Sequence, residues 1–197
     1  MSCIFVTGPV RSGKSALAQR LVGSGRVLYV ATAAIDADDA EWSGRIAHHR
    51  ASRPSSWELL ESAPLGVEEL CAQLEALDAS SSALLDSFGT WLAMRIAARA
   101  ALLAEDYTAC ERELEGEVSR FVECLLTLRT RIVVVSEQLG WDVVPTHASA
   151  RLFRDVVGRA NQRLARGAEG AYLVVGGYAL DLHALGVPVS EVALLGE

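Results

Sequence analysis

Gly8-Pro9-Val10-Arg11-Ser12-Gly13-Lys14-Ser15 is the stretch that decides the fold. It matches glycine, four free positions, glycine, lysine, then serine or threonine, the pattern of a phosphate-binding loop. Its surroundings strengthen the match. Cys3 to Thr7 before it is a compact, β-rich run that ends at glycine, and Ser15 to Val22 after it reads as a helix. In that setting the glycines let backbone N–H groups turn inward around phosphate oxygens, and the helix presents its positive N-terminal end. Lys14 is then placed for the β and γ phosphates, and the Ser15 hydroxyl for Mg²⁺. All of Gly8, Pro9, Val10, Arg11, Ser12, Gly13, Lys14 and Ser15 are candidate nucleotide-binding residues. Pro9 removes one N–H donor, but not those nearest Gly13 and Lys14.

Outward from the loop, short apolar runs alternate with longer segments of helical spacing, the pattern of βαβ units around a mostly parallel sheet. Val27 to Ala31, Ala83 to Asp86, Ile132 to Val135 and Tyr172 to Val175 read as strands, and Trp57 to Leu60 as a short one. Asp36 to Arg53, Val67 to Leu77, Thr90 to Leu103, Tyr107 to Arg129 and Ala148 to Ala165 read as helices. Arg53-Pro54 ends the first of these, because proline disfavours helix at the residue before it. From Tyr178 onward the pattern is weak. The expected fold is α/β, a P-loop NTPase with a mostly parallel sheet flanked by helices, in one domain over residues 1–197.

A net charge of −7 speaks against a nucleic-acid partner, since such binding depends on clustered Lys and Arg. No apolar run approaches the length that spans a bilayer. Met1 to Val6 lacks the basic region of a secretory signal, so the expected location is the cytoplasm. Cys3, Cys71, Cys110 and Cys124 form no CxxC pair and read as small hydrophobes rather than metal ligands.

A magnesium site needs a carboxylate beside the loop hydroxyl. Asp86, which closes an apolar strand, is the candidate alongside Ser15, the competing role being an N-cap for the helix that follows. Glu137 follows the strand that ends at Ser136, at the sheet edge where ligand groups gather, and is a candidate for orienting nucleotide or metal, the competing role being a surface-loop glutamate. Between Arg45 and Pro54 the chain carries Arg45, His48, His49, Arg50 and Arg53. On a helix, Arg45 and His49 are neighbours and His49 shares a stripe with Arg53, while His48 points away. A neutral imidazole is a nucleophile, and flanking guanidinium groups keep it neutral and attract phosphate. The other reading of this segment is a solvated basic helix face.

Taken in order, several motifs resemble the bifunctional adenosylcobinamide kinase/adenosylcobinamide-phosphate guanylyltransferase family of cobalamin biosynthesis. They are Arg11-Ser12-Gly13-Lys14-Ser15, Tyr29-Val30-Ala31-Thr32-Ala33, the Arg-Ile-x-x-His-x-x-x-Arg-Pro pattern at 45–54, and Leu85-Asp86-Ser87 with Thr90-Trp91-Leu92. Ser136-Glu137 with Gly140 and Phe153-Arg154-Asp155 through Asn161-Gln162-Arg163-Leu164 complete the set. The resemblance runs from about residue 3 to 182. It implies a RecA-like fold, a homotrimer with sites between subunits, and two reactions on one corrinoid tail, with GTP and ATP as substrates. The first phosphorylates adenosylcobinamide on its aminopropanol hydroxyl. The second adds GMP from GTP through a guanylyl-histidine, and the family pattern places that histidine at His49 as a catalytic residue beside Lys14.

Overall fold

A computed structural model describes residues 3–33, 53–141 and 143–192. Seven strands form one sheet: β1 Cys3–Gly8, β2 Val27–Ala31, β3 Glu58–Glu61, β4 Ser82–Asp86, β5 Arg131–Glu137, β6 Gly170–Val175 and β7 Tyr178–Asp181. Their order is β3-β2-β4-β5-β1-β6-β7, parallel throughout except for β7, which runs antiparallel to β6. The helices are α1 Lys14–Val22, α2 Val67–Glu75, α3 Phe88–Ala97, α4 Ala100–Glu105, α5 Tyr107–Thr127, α6 Ala148–Gly167 and α7 Leu182–Leu185.

Central strands buried on both faces need continuous apolar runs, and β5 supplies one in Ile132-Val133-Val134-Val135, all fully buried. Alternate residues feed two cores. Val133 and Val135 pack with Val6, Ala18 and Val22 on the α1 face. Ile132, Val134 and Phe5 pack with α2 to α6 on the other, around Phe88, Trp91 and Phe121. The Trp91 and Phe121 ring centroids lie 4.5 Å apart in a tilted arrangement that aromatic quadrupoles favour.

Two readings of the pattern need correction. The segment Thr90 to Leu103 is not one helix: α3 stops at Ala97, and α4 starts at Ala100. Arg99, with φ −107° and ψ 17°, makes the break and sends its guanidinium to Glu117. Beyond β6 the chain does not lose structure, because Gly176 (φ 59°) and Gly177 (φ 83°) turn it back into β7. Two adjacent positive φ values are the demand of a tight hairpin turn, which glycine meets without strain. The expected helix Asp36 to Arg53 lies outside the described residues, apart from Arg53 at its end.

Candidate functional site

Because β1 lies between β5 and β6, the loop that leaves its C-terminal end crosses the middle of the sheet edge. Arg11 (φ 58°) and Gly13 (φ 102°) take left-handed conformations, which fold the loop back onto itself. Ser12 N–H donates to the Pro9 carbonyl at 3.3 Å, and Lys14 Nζ donates to the same oxygen at 3.4 Å. Gly13 stands at the N-cap of α1 with no side-chain cap, so the first N–H groups of the helix are left for an anion. The loop is fixed from outside as well. Gln138 N–H donates to the Gly8 carbonyl at 3.1 Å, and Gly177 N–H donates to that of Ser12 at 3.0 Å. Gly8 has no room for a side chain, because a Cβ there would overlap the Val174 carbonyl oxygen.

Ser15, the second residue of α1, donates from Oγ to Asp86 Oδ1 at 3.4 Å. Asp86 ends β4, which is separated from β1 by β5. The Tyr29 hydroxyl on β2 donates to Asp86 Oδ2 at 3.5 Å. Burial, with the negative charge of Asp86 behind it, raises the Tyr29 phenol well above its usual range, so the hydroxyl stays protonated and keeps donating. Arg53 lays its guanidinium 4.0 Å over the Tyr29 ring, which brings one arginine of the 45–54 segment to this edge. Arg45, His48 and His49 lie outside the described residues.

Asp86 does not cap α3. That role falls to Ser87, whose Oγ accepts from Thr90 N–H at 3.2 Å. The same hydroxyl donates to Glu137 Oε1 at 2.6 Å, joining the ends of β4 and β5. Glu137 pairs in register with Gly8, and its carbonyl accepts from Asn161 Nδ2 at 2.9 Å. Its other carboxylate oxygen, Oε2, is buried and has no hydrogen-bond partner among the described residues. A Cβ at Gly89 would overlap this carboxylate. Asp86 and Glu137, both singled out by the sequence pattern, stand at this edge, whereas the contacts that Tyr29, Thr32, Ser87 and Gly89 make with their surroundings have no such signal or only a local one. The signal for Ser87 was a serine three residues before Thr90 at the start of a helix, a spacing that caps N-termini. Thr32 could not be read in this way, because its Oγ1 accepts from Ser87 N–H at 3.0 Å only once β2 and β4 are paired.

A magnesium ion bound with nucleotide takes one or two protein oxygens and leaves the remainder to phosphates and water. Ser15 Oγ and Asp86 Oδ1 form such a pair of hard donors. Among the described residues no group of three or more His, Cys, Asp or Glu gathers as an all-protein metal cage would require. The pair fits an ion whose shell the phosphates complete.

The fold resembles that of a prototypical ATPase from the type III secretion system of pathogenic bacteria, with a TM-score of 0.53 at 12% identity. The alignment covers 96% of this chain and 59% of that one. In sequence, the chain is 35% identical over 180 residues to the bifunctional adenosylcobalamin biosynthesis protein CobU of Salmonella typhimurium, covering 91% of this chain and 98% of that protein. It is 37% identical over 181 residues to the corresponding CobP of Pseudomonas aeruginosa, covering 90% and 95%. The model of the cobinamide kinase / cobinamide phosphate guanyltransferase family matches residues 4–182. With a P-loop at the centre of a mostly parallel sheet, an acid opposite its serine and a family match over nearly the whole length, the chain belongs to the cobinamide kinase / cobinamide phosphate guanyltransferase family.

Proposed function

We propose that the chain catalyses both reactions of its family on one corrinoid. In the first, the aminopropanol hydroxyl of adenosylcobinamide attacks the γ-phosphorus of ATP or GTP, and the bond from that phosphorus to the diphosphate breaks. In the second, an imidazole nitrogen of His49 attacks the α-phosphorus of GTP and releases pyrophosphate. The corrinoid phosphate then displaces the histidine, giving adenosylcobinamide-GDP. Two displacements replace one harder transfer. The reading is carried by one observation: Lys14, Ser15 and Asp86 meet at the C-terminal sheet edge in a chain of this family.

Within this reading the loop N–H groups and Lys14 bind and orient the phosphates, and Glu137 and Arg53 border the nucleotide. Arg45 joins His49 in holding the α-phosphate. Ser15 and Asp86 would hold Mg²⁺, which when bound offsets the charge of the phosphates. The resemblance supports a homotrimer working in the cytoplasm; among the described residues no helix is long and apolar enough to cross a membrane.

Nucleotide turnover should depend on added cobinamide, and Lys14→Ala should lower the kinase kcat by about 10²- to 10³-fold with the far-UV circular dichroism unchanged. Near-parental rates in Lys14→Ala would reject this placement of the phosphates. Hydrolysis that ignores cobinamide would make the protein a nucleotide switch instead.

A further inference from the structure

We infer that a cavity beside the P-loop, lined by neutral side chains among the described residues, receives a carboxamide arm of the corrinoid, an assignment that rests on the function proposed above. The cavity, about 260 Å³, lies between β1, the residues after β5, and helices α6 and α7. It is on the face opposite α1, because Phe5 in its wall belongs to the core under α6 while Val6 packs with α1. It also stands next to the phosphate-binding loop: Thr7 in its lining precedes Gly8, and Gln138 is the residue whose N–H holds the Gly8 carbonyl.

The lining chemistry selects the ligand. Among the described residues that line the cavity none is charged, which does not favour a phosphate, since phosphates call for Lys, Arg or a nest of N–H groups. Instead it carries three carboxamides, Gln138, Asn161 and Gln162, and the Thr7 hydroxyl, against apolar walls that include Phe5 and Leu182. Thr7 Oγ1 and Asn161 Oδ1 are buried without a hydrogen-bond partner among the described residues, an arrangement proteins avoid unless something else supplies the bond. A primary amide offers two donors and an acceptor, the complement of an amide oxygen beside a hydroxyl. The corrinoid periphery bears such amides, as the name cobinamide states. The volume far exceeds the about 30 Å³ that one water occupies, so a single bridging water does not fill it.

Gly158 supplies an independent argument. It sits within α6, where glycine costs stability relative to alanine, and it lines the cavity. Its φ is not positive, and a Cβ there would meet nothing within 4 Å among the described residues. Neither conformation nor crowding by those residues calls for glycine at this position, and a side chain there would take space from the cavity.

The test uses the full-length chain, with steady-state kinase kinetics on cobinamide and equilibrium binding of GTP measured separately. Gly158→Leu fills the cavity, and Thr7→Val removes the hydroxyl while keeping the shape. Both should keep the parental Kd for GTP. The KM for cobinamide should rise about tenfold in Gly158→Leu and about fivefold in Thr7→Val, the loss of one hydrogen bond. Folded variants with the parental KM for cobinamide would overturn the assignment. A weakened GTP Kd with an unchanged cobinamide KM would also overturn it, by giving the cavity to the nucleobase. If Gly158→Leu does not fold, Thr7→Val decides alone. A parent that fails to phosphorylate cobinamide would remove the proposed function and this inference together, a result distinct from an active parent with unaffected variants.

Discussion

Two adjacent histidines are the finest distinction in the sequence, because on the expected helix one step of about 100° would separate their side chains. If the segment is helical, as its sequence leads one to expect, His49 would share a stripe with Arg53, and Arg53 lies against Tyr29, whose hydroxyl reaches Asp86. With GTP labelled in its α-phosphate, the parent and His48→Ala should take up label that survives alkali and is released by acid. His49→Ala should take up none and lose guanylyl transfer while keeping measurable kinase activity, since γ-phosphoryl transfer needs the loop and not the imidazole. Label lost in His48→Ala and kept in His49→Ala would move the nucleophile by one residue.

Among the elements, α5 shows how local signals become structure. Asp106 caps it by accepting from Ala109 N–H at 2.9 Å, and Asp106→Ala should lower stability by about 1 kcal/mol in urea unfolding, with the slope unchanged. Signals of this local kind were legible in the sequence: β1, β2, β4, β5 and the helices α1, α2, α5 and α6 lie where composition and spacing put them. The loop motif and Asp86 were legible because a strand that ends on an acid is itself a local pattern. What escaped was decided at a distance. The break between α3 and α4 depends on Arg99 reaching Glu117 on another helix, and no period in Thr90 to Leu103 reports that. Strand β7 escaped because Tyr178, Ala179 and Leu180 are all exposed, which removes the alternation that marks a half-buried strand. The cavity near Thr7 could not be read at all, since its lining comes from β1, the end of β5, α6 and α7.

For the whole molecule, the most buried charge among the described ion pairs is Glu117, 5% exposed, which joins α3 to α5 by meeting Arg95 at 2.5 Å and Arg99 at 2.7 Å. Removing one partner of such a cluster leaves uncompensated charge. Glu117→Ala should therefore cost about 3 kcal/mol, the lower end of the usual range because both arginines still reach water. A loss under about 1 kcal/mol in urea unfolding would show that the arginines resolvate freely. The sheet order carries a consequence of another kind. β1 comes first in the chain, yet both of its neighbours, β5 and β6, come from the second half, and the Ser12 carbonyl is held by Gly177. On the ribosome, β1 gains its first neighbour only when residues 131–137 have emerged, and its second only beyond residue 170. The strands that clamp the phosphate loop on both sides are therefore synthesised long after the loop itself, and the nascent loop stays without its frame in the interval.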